Sequence, residues 1–464
     1  MANAFSGKRE MWSNRWLFVL AAAGSAVGLG NIWKFPYIAG ENGGAAFVLI
    51  YLSCIALVGV PIMMSEILLG RSGRASPITA MQKLAEASKA SKYWAFIGWL
   101  GVLAGFLILS YYAVIAGWAL NYIWLSASGG FANISASGAE DIFSGFLSSP
   151  WQLLFWHSLF MVFTVLIVGR GIGKGLETAV RWFMPLLFIL LIILLIYGFQ
   201  SGGFQQAVNF MFDFKIDVVT TETWLIAMGQ AFFTLSLGMG AMMAYGSYVP
   251  DSANIGSTVI IIALLDSFVA VAAGLAIFPI VFANGLEPGQ GPGLMFVTVP
   301  LAFGQMSFGS LFGTLFFLLV SFAAITSAIS LTEPAISYLV EKYNARRSRV
   351  AVSLGLFCWV LGIGTVLSFN HWTDLTLFGR TFFDLVDYVS QNIMLPLGGM
   401  LIALFAAWRI PDALIIEQLG VKEGYGLYSW KILAGFLAPL CVALVFINTL
   451  FPDFFEVINR FQQG

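Results

Sequence analysis

Long apolar runs alternate with short polar segments along the whole chain, and this pattern predicts a bundle of membrane-spanning helices. A run of about 18 or more apolar residues is long enough to cross a bilayer as a helix. Eleven such runs cover roughly residues 15–39, 44–70, 94–125, 151–169, 176–199, 223–249, 257–283, 309–340, 350–368, 382–408 and 431–450. We therefore predict an all-α membrane protein with about 11 transmembrane helices.

Two of these runs contain residues that weaken a helix. The first run holds GSAVGLGN at residues 24–31, and the sixth holds TLSLGMG at residues 234–240. Each glycine costs about 1 kcal/mol relative to alanine inside a helix, and broken backbone at membrane depth is tolerated where it lines a cavity or is buried in protein. We predict that helices 1 and 6 unwind here and form a midplane binding site. The alternative is that the glycines only allow close helix packing.

Composition and charge support a polytopic membrane protein. The 464 residues are 59% hydrophobic and only 10% charged, against about 25% charged in soluble domains. Of the 22 basic residues, 18 lie at the N-terminus, in alternate connections on the same side, or at the ends of the runs that adjoin them. The positive-inside rule then predicts a cytoplasmic N-terminus, an external C-terminus and a plasma-membrane location. No basic patch suggests nucleic acid.

Several functional classes are disfavoured by what the sequence lacks. The three cysteines lie in apolar runs, where cysteine acts as a small hydrophobe. The two histidines have no second ligand at helical spacing, which disfavours a transition-metal site. Walker, nucleotide-binding and nucleophile-elbow motifs are absent from the sequence. We therefore expect neither an enzyme nor an ATP-driven pump.

Several longer motifs resemble one known family. They are Arg9-Glu10-x-Trp12, residues 24–36, Glu41-Asn42-Gly43-Gly44, residues 229–238 and Thr326-Ser327. With them the chain resembles the neurotransmitter:sodium symporter family, in its bacterial amino-acid transporter branch with eleven helices. The resemblance implies a 5+5 inverted repeat at residues 1–199 and 200–408, with residues 409–464 forming helix 11 and an external tail. It also implies binding of sodium and a small amino acid or amine.

The resemblance also implies a substrate site. Amine-transporting members carry an aspartate where this chain has Gly28, so we expect a substrate that keeps its own carboxylate. Its carboxylate would meet the backbone of Gly28 and Gly30 and the Tyr112 hydroxyl, and its ammonium would meet carbonyls near Ala26, Phe233 and Thr234. Its side chain would face Ser25, Ile108, Phe233, Ser236, Met239, Ser327 and Leu331. Flexible Met239 favours large apolar or aromatic amino acids. For Ile108 and Tyr112, the i, i+4 spacing fits a core-packing face nearly as well.

Two sodium sites are expected by the same resemblance, and their oxygen ligands suit a hard cation. The first uses the Ala26 carbonyl, Asn31, Thr234, Asp266 and the substrate carboxylate. The second uses carbonyls of Gly24, Val27 and Ala323 with the hydroxyls of Thr326 and Ser327. The alternative for Thr326 and Ser327 is a local hydrogen bond to the carbonyl four residues earlier.

Asp266 is an unusual residue for its position. Family members usually have asparagine there, and chloride-dependent members place a serine where this chain has Ala270. A carboxylate inside a membrane span marks a functional site by default, so we predict that its charge replaces chloride, with Tyr51 and Gln230 nearby. The alternative is a protonated carboxyl in a packed interface.

Gates and a hinge complete the set of candidate residues. Arg9 and Glu341 resemble a cytoplasmic ion pair, with Trp12 and Tyr248 beside it. Lys34 and Asp387 resemble an external pair, although Asp384 is close in sequence. Gly175 and Pro185 would let the cytoplasmic end of helix 5 unwind, an ordinary proline kink being the alternative.

The function predicted from these features is sodium-coupled symport of hydrophobic or aromatic L-amino acids by alternating access, without chloride. An ion channel would need a continuous polar pore instead of one midplane site. An amino-acid sensor of the same fold would bind the substrate without moving it.

Overall fold

The computed structural model describes residues 10–287 and 292–451, except for the side chain of Trp33, and these residues are almost entirely helical. Within them, β-pairing is limited to two isolated bridges, Gly44 with Phe214 and Leu377 with Arg380. Counting the π-helical and 3-10 turns that continue a helix, the helices are α1 Arg15–Ala26, α2 Gly30–Glu41, α3 Ala45–Gly73, α4 Pro77–Ala87, α5 Lys92–Ala127, α6 Ala136–Leu147, α7 Pro150–Val168, α8 Ile172–Gln200, α9 Phe204–Phe212, α10 Thr221–Thr234, α11 Ala241–Gly246, α12 Ile255–Ala283, α13 Leu294–Gly304, α14 Gly309–Tyr343, α15 Arg347–Ser368, α16 Phe382–Arg409, α17 Asp412–Leu419 and α18 Tyr425–Leu450.

The eleven predicted spans correspond to these helices. Within the described residues, nine helices are individually long and apolar enough to cross a membrane. The first span is the pair α1 and α2, which is bent by 69° at its break. The sixth span is the pair α10 and α11. The predicted fold class, an all-α membrane protein interrupted in its first and sixth spans, is confirmed. The last span begins at Tyr425, six residues before the predicted start.

Burial separates a central pair of helices from peripheral ones. In α5 and α14, 78% of the most apolar stretch is buried inside the protein, against 33% in α7 and 28% in α18. Small residues allow the central pair to approach closely, because a Cβ on Gly105 would lie 3.1 Å from the Leu331 carbonyl oxygen. The central helices thus form a wall that residues from the broken spans can pack against.

The break in the sixth span has a clear backbone cause. Ser236, Gly238 and Gly240 all have positive φ, at 54°, 82° and 73°. Left-handed angles cannot continue a right-handed helix, so the chain leaves the helix after Thr234 and re-enters it at Ala241. The glycines accept these angles without the steric cost that a side chain would bring.

Candidate functional site

The two helix breaks lie against each other in the centre of the bundle. The Ser236 hydroxyl donates a hydrogen bond to the Ser25 carbonyl at 2.8 Å. The Asn31 amide donates to the Thr234 hydroxyl at 2.9 Å. Both bonds join segments that are about 200 residues apart in the chain. The unwound backbones of the two spans therefore face one shared site.

A small buried cavity of about 40 Å³ lies at this meeting point. Its lining contains every residue that the sequence placed around the substrate, together with Leu29, Asn31 and Ser330. The predicted residues in the lining are Ser25, Ala26, Gly28, Gly30, Ile108, Tyr112, Phe233, Thr234, Ser236, Met239, Ser327 and Leu331. The fold thus collects the predicted set around one space, with α5 and α14 supplying the wall opposite the breaks.

The polar groups of the cavity differ in whether they have hydrogen-bond partners. The buried Tyr112 hydroxyl has no hydrogen-bond partner among the described residues. The Gly28 N–H donates to the Asn31 side-chain oxygen at 3.1 Å. The Ser25 and Ser330 hydroxyls are bonded to each other at 2.7 Å. A buried hydroxyl without a partner is costly, so Tyr112 is poised to bond a polar group that enters the cavity.

The predicted ligands of the first sodium site converge beside this cavity. Asn31 donates from its amide to the Asp266 carboxylate at 2.7 Å, and the Thr234 hydroxyl donates to the same carboxylate at 3.0 Å. The Tyr51 hydroxyl approaches Asp266 at 3.4 Å, and Asp266 is fully buried. Gln230, expected near Asp266, directs its side-chain amide at the carbonyl of Gly30, the neighbour of Asn31, at 3.5 Å. A buried carboxylate beside two hydroxyl oxygens provides the kind of oxygen ligands that a hard cation prefers.

At the second predicted site, several oxygen atoms lie close together between α1 and α14. The Ser327 hydroxyl lies 3.3–3.4 Å from the carbonyls of Gly24, Ser25 and Val27. One hydroxyl proton cannot serve three acceptors, so the excess of oxygens also suits a cation. Thr326 bonds within its own helix, to the carbonyls of Ala323 and Phe322 at 3.0 and 3.1 Å. The local-bond alternative therefore describes Thr326 in this structure but does not describe Ser327.

On the N-terminal side of the cavity, aromatic packing closes the bundle. The Trp12 N–H donates to the Tyr248 carbonyl at 3.0 Å, and its indole donates to the Tyr245 carbonyl at 3.1 Å. Both oxygens of Glu341 accept from the Ser76 N–H at 3.0 Å. Arg9, the predicted partner of Glu341, lies outside the described residues.

On the opposite side, the predicted pair of Lys34 and Asp387 is not in direct contact. The ion pairs of the described chain do not join them. Lys34 places its ammonium 5.4 Å from the centre of the Phe233 ring, and Asp387 accepts a hydrogen bond from Gln391. Asp384 forms a capping box with Thr381 at the start of α16. Of the two aspartates, Asp387 is therefore the candidate for the external pair.

Phe233 separates the central cavity from a larger one. The outer cavity encloses about 240 Å³ and includes Lys34 and Gln391 in its lining, and Phe233 lines both spaces. The Phe233 side chain therefore borders both the central site and the outer cavity.

The two hinge candidates of the fifth span lie where the sequence placed them. Gly175 sits in a π-helical turn, Ile172–Glu177, at the start of α8, and a Cβ there would lie 2.1 Å from the Ile167 carbonyl oxygen. Pro185 lies inside the same helix. Its neighbour Met184 packs on α1, because a Cβ on Gly24 would lie 2.8 Å from the Met184 sulfur. The fifth span therefore packs beside Gly24, whose carbonyl belongs to the second candidate sodium site.

Two buried glutamates, Glu66 and Glu333, were missed by sequence reasoning. Glu66 accepts from the Gly238 N–H at 2.6 Å and so anchors the unwound part of the sixth span. Glu333 pairs with Arg347 and accepts from the Tyr248 hydroxyl at 2.7 Å. A signal was available, because ionisable residues inside apolar spans are functional candidates by default, and the same rule had selected Asp266.

Comparison with known proteins finds relatives that match nearly the whole chain. Residues 9–137 and 141–459 match the model of the sodium:neurotransmitter symporter family. An uncharacterized sodium-dependent transporter of Bacillus subtilis is 39% identical over 96% of this chain and 98% of its own. A sodium-dependent dopamine transporter of Caenorhabditis elegans is 27% identical over 95% of this chain and 81% of its own.

A solved structure matches the fold closely. The crystal structure of MhsT in complex with L-phenylalanine superposes with a TM-score of 0.87, at 42% identity, over 95% of this chain and all of that one. These matches confirm the resemblance inferred from the motifs, and the relatives are transporters, not enzymes.

Proposed function

Because the chain belongs to the sodium:neurotransmitter symporter family, we propose that it couples sodium entry to the uptake of large apolar or aromatic L-amino acids. The observation that carries this proposal is that the central cavity has one polar end and one apolar end. One end has the unpartnered Tyr112 hydroxyl and the unwound backbone at Gly28. The other end is formed by Ile108, Met239 and Leu331. An amino acid with an apolar side chain matches both ends.

The substrate carboxylate is proposed to bind at the glycine end of the cavity. Gly28 brings no side chain there, which leaves space and adds no charge. Tyr112 would donate to the carboxylate, and Gly28 would exchange its bond to Asn31 for one to the ligand. The substrate ammonium would meet carbonyls near Ala26, Phe233 and Thr234, at the C-terminal ends of α1 and α10, where the last carbonyls of a helix lack its regular hydrogen bonds.

The cavity must expand when the substrate binds. Ligand sites generally enclose about 300–1,000 Å³, whereas this cavity encloses about 40 Å³. Unbranched Met239 adapts its shape readily, and Phe233 borders the outer cavity into which it can swing. The L-phenylalanine bound in the structure of MhsT supports a substrate of this size.

Sodium is proposed as a co-substrate at two places. The first comprises the Ala26 carbonyl, Asn31, Thr234 and Asp266, to which the bound amino acid would add a carboxylate oxygen. The second comprises the oxygens of Gly24, Val27, Ala323, Thr326 and Ser327. In the first place, the buried charge of Asp266 would balance the cation, so transport would not need chloride.

Transport would proceed by alternating access between two inverted repeats, residues 1–199 and 200–408. The excess of basic residues supports a cytoplasmic N-terminus in the plasma membrane. Phe233 with Lys34 and Asp387 would then form the external gate. Trp12, Tyr248, Glu341 and Arg9 would form the cytoplasmic one, and unwinding at Gly175 and Pro185 would release the second sodium.

The test is uptake of labelled leucine into proteoliposomes with and without a sodium gradient, in competition with each of the twenty amino acids. We expect saturable, sodium-dependent uptake that phenylalanine, tryptophan and leucine inhibit and that glycine and aspartate do not. Uptake that does not saturate would indicate a channel. Sodium-dependent binding without accumulation would indicate a sensor, and either result would overturn the proposal.

A further inference from the structure

A second, apolar groove lies on the lipid-facing side of the bundle, away from the transport site. Helices α5, α14 and α15 leave a space of about 390 Å³ between them, close to the ends that share a membrane face with the start of α1. We call it the leaflet groove. Its main lining residues are Phe96, Trp99, Leu103, Tyr338, Lys342 and Leu354.

The leaflet groove has the depth of one lipid leaflet. On α5 its lining extends from Phe96 to Phe106, which is ten residues or about 15 Å of helix rise. Half of the hydrocarbon thickness of a bilayer is also about 15 Å. Phe96 and Leu103 remain 55% and 52% exposed, so the protein itself does not cover them, and a lipid acyl chain lying along the helix would.

The membrane-surface end of the groove is positively charged. Lys342 is exposed in the last turn of α14, and its ammonium lies 5.3 and 5.5 Å from the centres of the Tyr338 and Tyr343 rings. The ion pairs within the described chain do not include Lys342. Arg346 and Arg349 follow on the same side and are also exposed. This charge attracts a phosphate at the depth where a lipid headgroup lies.

We propose that the leaflet groove binds one anionic phospholipid, with an acyl chain between α5 and α14 and the phosphate at Lys342. The apolar lining and the cation are arranged in the same order as the tail and headgroup of a lipid in that leaflet. The bound lipid would stabilise the position of α14, the helix that also contains Thr326 and Ser327. This site is separate from the substrate cavity and does not depend on which amino acid is transported.

Native mass spectrometry of the full-length protein tests the charge component. The protein would be titrated with phosphatidylglycerol or with phosphatidylcholine of the same acyl chains. We expect one tightly retained phosphatidylglycerol, and about fivefold weaker retention after Lys342→Gln. Lys89→Gln removes an exposed lysine from the same face outside the groove and should leave retention unchanged. Equal retention of both lipids by the wild type would overturn the proposal, as would an unaffected Lys342→Gln protein.

A second variant tests the apolar component without changing charge. Leu103→Trp fills the groove at an exposed position, so retention of both lipids should fall while sodium-dependent leucine binding, which reports a folded protein, persists. If this variant retains lipid normally, the acyl chain lies elsewhere. A dimer that survives delipidation and dissociates in Leu103→Trp would show that a second copy of the chain occupies the groove instead.

Discussion

At the scale of single residues, Gly28 is the position proposed to set the charge of the substrate. Gly28→Asp would place a carboxylate where the substrate carboxylate is proposed to bind, and like-charge repulsion should weaken leucine binding at least tenfold, or about 1.4 kcal/mol. Equilibrium binding of radiolabelled leucine in sodium measures this. Gly28→Ala is the matched control, because its Cβ meets the Ser327 hydroxyl at 3.0 Å but adds no charge. Wild-type binding by Gly28→Asp would show that the proposed orientation is wrong.

Substitution of Ser327 and Thr326 tests the second proposed sodium site. Replacing both with alanine removes two of five proposed oxygen ligands, so half-maximal uptake should require about tenfold more sodium. The control is Thr332→Ala in the same helix, because the buried Thr332 hydroxyl bonds only to the nearby carbonyls of Ala328 and Ile329. Sodium titration of leucine uptake compares the variants. Unchanged sodium dependence at normal expression would rule the site out.

Substitution of Asp266 tests whether its buried charge makes chloride unnecessary for uptake. Wild-type uptake should be indifferent to replacing chloride with gluconate, because the Asp266 carboxylate would balance the charge of the proposed sodium ion. Asp266→Asn with Ala270→Ser removes that charge and adds a hydroxyl, so uptake should become chloride-dependent. Asp266→Asn alone separates loss of charge from gain of the hydroxyl. A double variant that is active but indifferent to chloride would contradict the proposal.

At the scale of elements, the unwound part of the sixth span depends on Gly238. Its φ is 82°, and a Cβ would lie 2.2 Å from the Leu395 carbonyl oxygen of α16. Gly238→Ala should therefore destabilise the protein by roughly 1–3 kcal/mol and abolish leucine binding.

The matched control in the same span is Gly229→Ala. No atom lies within 4 Å of a Cβ built on Gly229, and alanine favours a helix interior by about 1 kcal/mol. Thermal unfolding in detergent should show a lower midpoint for Gly238→Ala and an equal or higher one for Gly229→Ala. Equal midpoints would mean that the break tolerates ordinary helical residues.

At the scale of the whole molecule, the proposed alternating access would require the fifth span to uncover the second proposed sodium site. Pro185 lacks the N–H that would close a helical hydrogen bond, and Pro185→Ala restores that bond. We expect turnover of leucine to fall several-fold while its binding affinity stays within about twofold. Pro279→Ala, inside α12, is the control for removing an interior proline. Unchanged turnover would favour an ordinary kink at Pro185.

The local sequence determined the helical framework. Apolar length and glycine content are properties of continuous segments, so eleven spans and the two interruptions follow from them without any long-range contact. The same is true of the site residues that lie within motifs, such as Gly28, Asn31 and Thr234. They were predicted together, and they line one cavity.

The tertiary structure alone decided which polar groups meet. Gln230 bonds to the Gly30 carbonyl, and Lys34 lies on the Phe233 ring instead of forming an ion pair with Asp387. Glu66 anchors Gly238 from another span. The partners in these contacts are separated by up to about 200 residues. Sequence patterns report where a polar group lies along its own helix, whereas its partner depends on how helices rotate and pack against one another.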